Sequence, residues 1–295
     1  MEHFIRKASF RSQGDSVGFL VPSPSRPQLE ESGNEAFPYL EQITAPPPAG
    51  GGFSIGCAAM PEARPLREGV RVIEEKTVAG YDTVVLAADS GKALTEWLKE
   101  HEYAYTPEVA AWAQPYLDQK WFMTAMKIAK PAAGKEKPAL AASALRISFK
   151  TDRPLFPYRE PDSRRDAEKL GMKDRVLRIY FIAEARYEAR FSTGAAWTGN
   201  LKWSRPLSND QRKQLLTDLK LDQNTGPSKF WLSEFVDHWP YGVAPGDVYF
   251  SRAESQQQVE YRASPRGIDP VFPGTVALGL ILPWLRRRQR AGNNC

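Results

Sequence analysis

The chain is poor in the residues that build metal centres and disulfide frameworks. It has two cysteines, Cys57 and Cys295, and three histidines among 295 residues. Two thiols cannot form a disulfide framework or a cysteine-ligated zinc site, and the histidines lack the paired spacing of a metal-binding helix. The sequence therefore predicts no metal site and indicates no cofactor.

Catalytic motifs are also scarce. Residues 52–56 read GFSIG and match G-x-S-x-G, which would make Ser54 a nucleophile. That motif works on a strand-to-helix elbow, and the Pro- and Gly-rich flanks predict a surface loop instead. His238 is a candidate catalytic base, but it directly follows Asp237. Neighbouring side chains of a strand point to opposite faces, so the two are not expected to form a dyad.

The positive net charge does not indicate nucleic-acid binding. The formal charge is +5, and the residues from Ser264 onward hold five arginines against one aspartate. Four of the five net charges therefore belong to this tail, and residues 1–263 are almost neutral. A nearly neutral body has no basic surface to neutralise a phosphate backbone, so we expect no nucleic-acid partner.

Long hydrophobic runs are absent except near the C-terminus, and a mean hydropathy of -0.49 excludes several membrane spans. Val271 to Leu285 is uncharged and is followed by the arginine-rich stretch RRRQR. As a helix it would be about 22 Å long, against about 30 Å of bilayer hydrocarbon, and the arginines fit a cytoplasmic flank. The sequence thus predicts one C-terminal membrane anchor with the body on the non-cytoplasmic side. The alternative is a cytoplasmic protein with a buried C-terminal helix.

The N-terminal residues lack the apolar core of a signal peptide. Export of the body would require such a signal. We therefore expect that the natural reading frame begins upstream of Met1, or that this chain is a trimmed form.

Hydrophobic patterning predicts an α+β fold. Short alternating segments bounded by glycine and proline indicate strands, among them a hairpin of residues 3–11 and 17–25 and a long strand over 175–190 with one wetter face. Residues 91–103 and 208–221 have helical periodicity, and a further helix is expected to kink or end at Pro115. We predict a mixed, mainly antiparallel sheet with a few packed helices over residues 1–263, and a short hydrophobic tail over 264–295.

The helical periodicity of residues 91–103 also predicts how this helix packs. Leu94, Trp97 and Leu98 recur at helical spacing on one face of residues 91–103. We expect this face to pack against the strand that carries Val84 and Leu86.

Three segments, residues 18–44, 78–130 and 146–161, resemble the bacterial family called domain of unknown function 2330. The resemblance is clearest over residues 4–161, and the Gly-rich loop and the FPYREP segment are nearest to planctomycete members. It implies an exported protein, usually with a signal peptide and often with one C-terminal span. The family has no established activity, so the resemblance assigns no catalytic or binding residue.

The segment DRPLFPYREP, residues 152–161, is the candidate binding surface. Its three prolines favour an extended conformation that presents Tyr158, Arg159 and Glu160, and a rigid extended segment binds partners at low entropic cost. The alternative is that it crosses the end of a sheet and buries Phe156 and Tyr158. Six tryptophans are similarly open to two interpretations, as core residues or as sugar-stacking surfaces: Trp112, Trp121, Trp197, Trp203, Trp231 and Trp239.

From these observations the sequence predicts a membrane-anchored binding or scaffolding module of the cell envelope, without catalysis. The alternative is an envelope hydrolase whose site is assembled from residues distant in the sequence. A deep pocket with convergent carboxylates, Ser54 or His238 would favour the enzyme. The sequence indicates no particular ligand or partner.

Overall fold

The computed structural model describes residues 1–7, 18–45, 70–103, 107–128, 143–161, 176–238, 244–261 and 276–283. These residues contain fourteen strands and four helices. The strands are β1 (Glu2–Lys7), β2 (Gly18–Ser23), β3 (Gln28–Ser32), β4 (Val70–Val78), β5 (Tyr81–Ala88), β6 (Phe122–Ile128), β7 (Ala144–Phe149), β8 (Leu155–Phe156), β9 (Val176–Ala183), β10 (Tyr187–Phe191), β11 (Asn200–Pro206), β12 (Trp231–Asp237), β13 (Val248–Arg252) and β14 (Val276–Pro283). The helices are α1 (Ala36–Thr44), α2 (Gly91–Glu100), α3 (Glu108–Asp118) and α4 (Asn209–Asp218).

The strands form three sheets. The large sheet has the order β11-β12-β9-β14-β1-β7-β3, a small sheet has the order β10-β13-β8, and a four-stranded sheet has the order β2-β6-β5-β4. Neighbouring strands are antiparallel except β14 and β9, which are parallel. The predicted α+β class with a mainly antiparallel, mixed sheet is confirmed.

Both faces of the large sheet are covered. Helices α1 and α4 pack on one face, where Leu40 and Leu216 join Tyr180 and Ile182 in one buried cluster. The opposite face shares a core with the small sheet and with the four-stranded sheet. The prediction that one face of β9 is more exposed to solvent is therefore wrong at the centre of the strand. Helices cover the face on which Tyr180 and Ile182 lie.

Helices α2 and α3 cover the four-stranded sheet. Leu94, Trp97 and Leu98 of α2 lie in one buried cluster with Val84 and Leu86 of β5, which confirms the predicted packing. The helix begins after Ser90, whose side chain accepts a hydrogen bond from the backbone of the first turn.

Two local predictions are wrong for reasons of tertiary pairing. Residues 175–190 do not form one strand, since a turn after Ala183 sends β9 and β10 into different sheets. Strands β1 and β2 do not form a hairpin, because β1 pairs with β7 and β14 whereas β2 pairs with β6. Separately, α3 does not end at Pro115, since the helix continues to Asp118.

The apolar C-terminal run contributes a strand to the large sheet. Residues Val276–Pro283 form β14, which pairs with β1 from Glu2↔Pro283 to Lys7↔Leu278 and with β9 on its other side. A short apolar run is compatible with a sheet strand as well as with part of a membrane segment, so hydrophobicity alone did not distinguish the two. The helical anchor predicted over residues 271–285 is therefore wrong for residues 276–283, and its remaining residues lie outside the described ranges.

Among the residues that the structure describes, no helix is long and apolar enough to cross a lipid bilayer. The boundary predicted between residues 263 and 264 also lies outside the described ranges.

Candidate functional site

An open cavity of about 300 Å³ lies where four parts of the chain meet. These are the C-terminal end of α3, the segment before residue 161, the end of β10 and the residues that lead into β13. The side chains that give the cavity its chemistry are Tyr116, Gln119, Trp121, Arg159, Ser192, Asp247 and Tyr249. Residues far apart in the sequence thus converge on one space.

Asp247 joins the walls of the cavity. Its Oδ1 accepts hydrogen bonds from the Tyr116 hydroxyl at 2.9 Å, from the backbone N–H of Tyr158 at 2.9 Å and from that of Arg159 at 3.0 Å. A buried carboxylate needs such donors to offset the loss of hydration. The three bonds therefore attach α3 and the proline-rich segment to the start of β13.

The loop that carries Asp247 approaches β10 closely. A Cβ atom on Gly246 would lie 2.4 Å from the Ser192 hydroxyl oxygen, so only glycine fits without a shift. The backbone N–H of Ser192 donates to the carbonyl of Asp247 at 2.8 Å. The backbone bond holds the loop that carries Asp247 beside β10.

Arg159 is held at its backbone and presents its guanidinium to the cavity. Its N–H donates to Asp247, and its carbonyl accepts a bond from the Trp112 indole at 2.9 Å. The guanidinium carbon lies 5.4 Å from the ring centroid of Tyr116, which is within cation–π range. In the described part of the chain, no carboxylate lies within salt-bridge distance of this half-buried guanidinium.

Two half-buried aromatic residues, Trp121 and Tyr249, form accessible walls of the cavity. The Trp121 ring packs against Tyr116 with the centroids 5.4 Å apart. Tyr116 itself is only 2% exposed, so it supports the cavity and is not a free stacking surface. The exposed Arg153 places its guanidinium carbon 4.8 Å from the Tyr249 ring centroid, which adds a second positive charge beside the cavity.

Burial determines the protonation behaviour of the cavity. It raises the pKa of the Tyr116 hydroxyl, and the neighbouring Asp247 carboxylate raises it further, so Tyr116 stays a neutral donor. Burial also raises the pKa of the Asp247 carboxyl, which the hydrogen bonds from Arg159 and Tyr116 oppose. A carboxylate whose oxygen accepts three bonds from protein donors is suited to a structural role rather than to proton transfer.

Tyr158 links two buried aspartates. Its backbone N–H donates to Asp247, and its hydroxyl donates to Asp237 of β12. The Thr198 hydroxyl donates to the other oxygen of Asp237 at 2.8 Å. Tyr158 and Phe156 are buried, as the second interpretation expected, and Leu155–Phe156 forms the edge strand β8 of the small sheet.

The three candidate binding residues therefore have different environments. Arg159 lines the cavity, whereas Tyr158 lies in the core beneath it. Glu160 is half-buried and is not among the lining residues.

Of the two candidate catalytic residues, the structure describes His238 alone. Ser54 lies outside the described residues. His238 is exposed at the end of β12 and does not line the cavity, while its neighbour Asp237 points into the core toward Tyr158. Within the described ranges, no group of three His, Cys, Asp or Glu residues could hold a metal ion.

One serine–histidine contact lies elsewhere, on the large sheet. His3 of β1 and Ser148 of β7 are cross-strand partners, and His3 Nδ1 lies 2.7 Å from Ser148 Oγ. Ser148 is 3% exposed, and burial is the main cause that lowers the pKa of His3 to about 4. A serine this buried cannot attack a bound substrate, so the pair is structural.

Sequence reasoning missed most of the cavity. It did not select Asp247, Tyr116 or Tyr249, and it considered Trp121 only as one of six tryptophans. Four of the six, Trp112, Trp197, Trp203 and Trp231, are buried or half-buried away from the lining, and Trp239 lies outside the described residues. The only local signal was the Pro-Gly-Asp turn before an aromatic strand, which is a common turn sequence.

These features define an α+β protein with an aromatic, arginine-containing cavity among its described residues. The chain belongs to the bacterial family designated domain of unknown function 2330, described as an uncharacterized protein conserved in bacteria, which matches residues 2–220. Comparisons with curated proteins and with solved structures find no match. The family match confirms the resemblance and includes Tyr116, Trp121 and Arg159, whereas Asp247 and Tyr249 lie beyond it.

Proposed function

We propose that this protein is a non-catalytic ligand-binding module of the bacterial cell envelope. The observation that carries the proposal is the Arg159 guanidinium, which is positioned at the cavity without a carboxylate partner among the described residues. An arginine held in this way is positioned to pair with a group of a bound ligand.

Binding without catalysis is supported by the state of the polar groups. Asp247 is engaged by three protein donors, and Tyr116 donates to it. A general base must reach the proton that it removes, and a nucleophile needs such a base beside it. The remaining polar side chains of the cavity, Gln119 and Ser192, are suited to hydrogen bonding with a ligand.

The envelope location rests on the family resemblance, which implies export of the body. The proposal places the cavity on the non-cytoplasmic side. It does not include anchoring by a helix over residues 276–283, since these residues pair with β1 and β9.

The binding proposal is tested by sedimenting the purified full chain with isolated bacterial cell envelopes. We expect the protein to co-sediment and the Trp121→Ala variant to lose most of this binding, because Trp121 forms an accessible wall of the cavity. Trp231→Ala is the matched control, since Trp231 is similarly half-buried but lies on β12 outside the lining. Equal binding of both variants, each verified as folded by thermal unfolding, would contradict the proposal.

The location is tested by expressing the protein from its native gene with the upstream region. Protease added to intact spheroplasts should digest the protein. Protection that lasts until the cells are lysed would place the body in the cytoplasm.

A further inference from the structure

We propose that the cavity binds a carboxylated sugar unit of an envelope polysaccharide, with Arg159 paired to the carboxylate and Trp121 and Tyr249 against the ring. This inference rests on the proposed function and specifies its ligand. The cavity, at about 300 Å³, is at the lower end of the about 300–1,000 Å³ usual for ligand pockets, so it suits one ring rather than a long chain.

The arginine argues for an anion. A planar guanidinium can form two parallel hydrogen bonds with a carboxylate. Two backbone hydrogen bonds hold Arg159 in place, and its guanidinium lies within cation–π range of the Tyr116 ring. The Asp247 carboxylate interacts with this charge electrostatically but forms no ion pair with it, so the guanidinium can still pair directly with an anionic ligand group. Arg153 beside Tyr249 increases the positive potential at the same place.

Helix orientation disfavours a doubly charged anion such as phosphate more than a singly charged one. The cavity is lined by the C-terminal end of α3, through Tyr116 and Gln119, and this end carries the negative pole of the helix dipole. Phosphate sites typically use free backbone N–H groups and helix N-termini. The backbone N–H groups of Tyr158 and Arg159 already donate to Asp247, so a singly charged anion fits better than a dianion.

The aromatic walls argue for a ring. Trp121 and Tyr249 are half-buried, and both line the cavity. A pyranose has apolar C–H faces and a hydroxyl rim, so the aromatic surfaces can cover its faces. The exposed Gln119 and Ser192 side chains then lie within the same lining to bond its hydroxyl groups.

The test compares the trisaccharide trigalacturonate with its fully methyl-esterified form, in which each carboxylate is replaced by an uncharged ester. Calorimetric titration of the full chain should show the acid binding at least about tenfold more tightly than the ester, a difference equal to one good ionic pairing. Arg159→Met should weaken binding of the acid about tenfold or more and leave the ester unchanged. Arg159→Lys should have an intermediate effect, because it keeps the charge but loses the planar fork.

Arg71→Met is the matched control, since Arg71 is exposed on β4 and does not line the cavity. It should bind the acid like the parent protein. Equal affinity for acid and ester, an unchanged affinity in Arg159→Met, or equally tight binding of inorganic phosphate would overturn the inference. If the chain sediments with cell envelopes through Trp121 but does not bind trigalacturonate, the ligand assignment fails while the binding function stands. If the chain neither sediments with cell envelopes nor binds trigalacturonate, both the ligand assignment and the binding function fail.

Discussion

The hydroxyl of Tyr116 donates a hydrogen bond of 2.9 Å to the carboxylate of Asp247, although 131 positions separate the two residues. The same carboxylate oxygen holds the backbone of Tyr158 and Arg159. This one contact therefore connects α3, the proline-rich segment and β13 around the cavity. The shape of the cavity depends on it more than on any local sequence motif.

Removal of this hydroxyl should destabilise the fold. Tyr116→Phe should lower the free energy of unfolding by about 1.5–3 kcal/mol, the range for buried hydrogen bonds to charged groups. Chemical denaturation measures this change. Tyr81→Phe is the control, because Tyr81 is equally buried and its hydroxyl has no hydrogen-bond partner in the described structure. A larger loss in the control than in Tyr116→Phe would refute the role assigned to the contact.

Trp97 should be a main source of stability for the α2 layer. It is 5% exposed and stacks on His101 with the ring centroids 4.0 Å apart. Trp97→Ala should cost about 3–5 kcal/mol of unfolding free energy, measured by urea denaturation. Trp97→Phe should cost much less, since the indole N–H has no partner among the described residues. An unchanged midpoint in the alanine variant would show that the helix faces another way.

Truncation distinguishes a sheet strand from a membrane anchor. A chain that ends at Ser264 lacks β14, which leaves β1 and β9 without their shared neighbour. Unpaired strand edges and uncovered core residues favour aggregation. We expect this form to lose its cooperative thermal transition, whereas a chain that ends at Leu285 should keep it. A soluble, cooperatively folded chain ending at Ser264 would restore the anchor hypothesis.

Glu2 should make stability depend on pH. Its carboxyl is fully buried, and burial raises its pKa well above the ordinary value of 4.5, against a hydrogen bond from the backbone of Leu155. The folded state then keeps a proton that the unfolded state releases. The contribution of Glu2 to stability is therefore fully present below about pH 4.5. It is lost as the pH rises toward the folded-state pKa.

Glu2→Gln should remove this contribution, because glutamine does not ionise. The stability of the variant relative to the parent should increase with pH by about 1.4 kcal/mol for each unit of pKa elevation. Urea denaturation from pH 4.5 to pH 7 measures the difference. A constant difference over this range would mean that Glu2 ionises as easily in the folded chain as in the unfolded one.

The rejected catalytic candidates also give a prediction. Ser54→Ala, Cys57→Ala and His238→Ala should leave thermal stability and envelope binding unchanged, because Ser54 and Cys57 belong to the predicted loop and His238 is exposed away from the cavity. A fluorophosphonate probe should not label the parent protein. Stoichiometric labelling of Ser54 would support the hydrolase alternative in place of the binding function.

Local patterns in the sequence predicted the elements well. Helical periodicity located α2 and its buried face, with Leu94, Trp97 and Leu98 in the core. These features depend on neighbours within a few positions, so one stretch of sequence contains the information. The almost neutral body and the scarcity of cysteine and histidine were also visible without a structure.

Pairing over long distances was decided only by the tertiary structure. An apolar run such as Val276–Pro283 suits a bilayer and a doubly covered strand equally well, and the open edges of β1 and β9 determine which it becomes. In the same way, Asp247 is an ordinary turn residue in the sequence. It becomes the centre of a cavity because Tyr116 and Arg159 approach it from other parts of the chain.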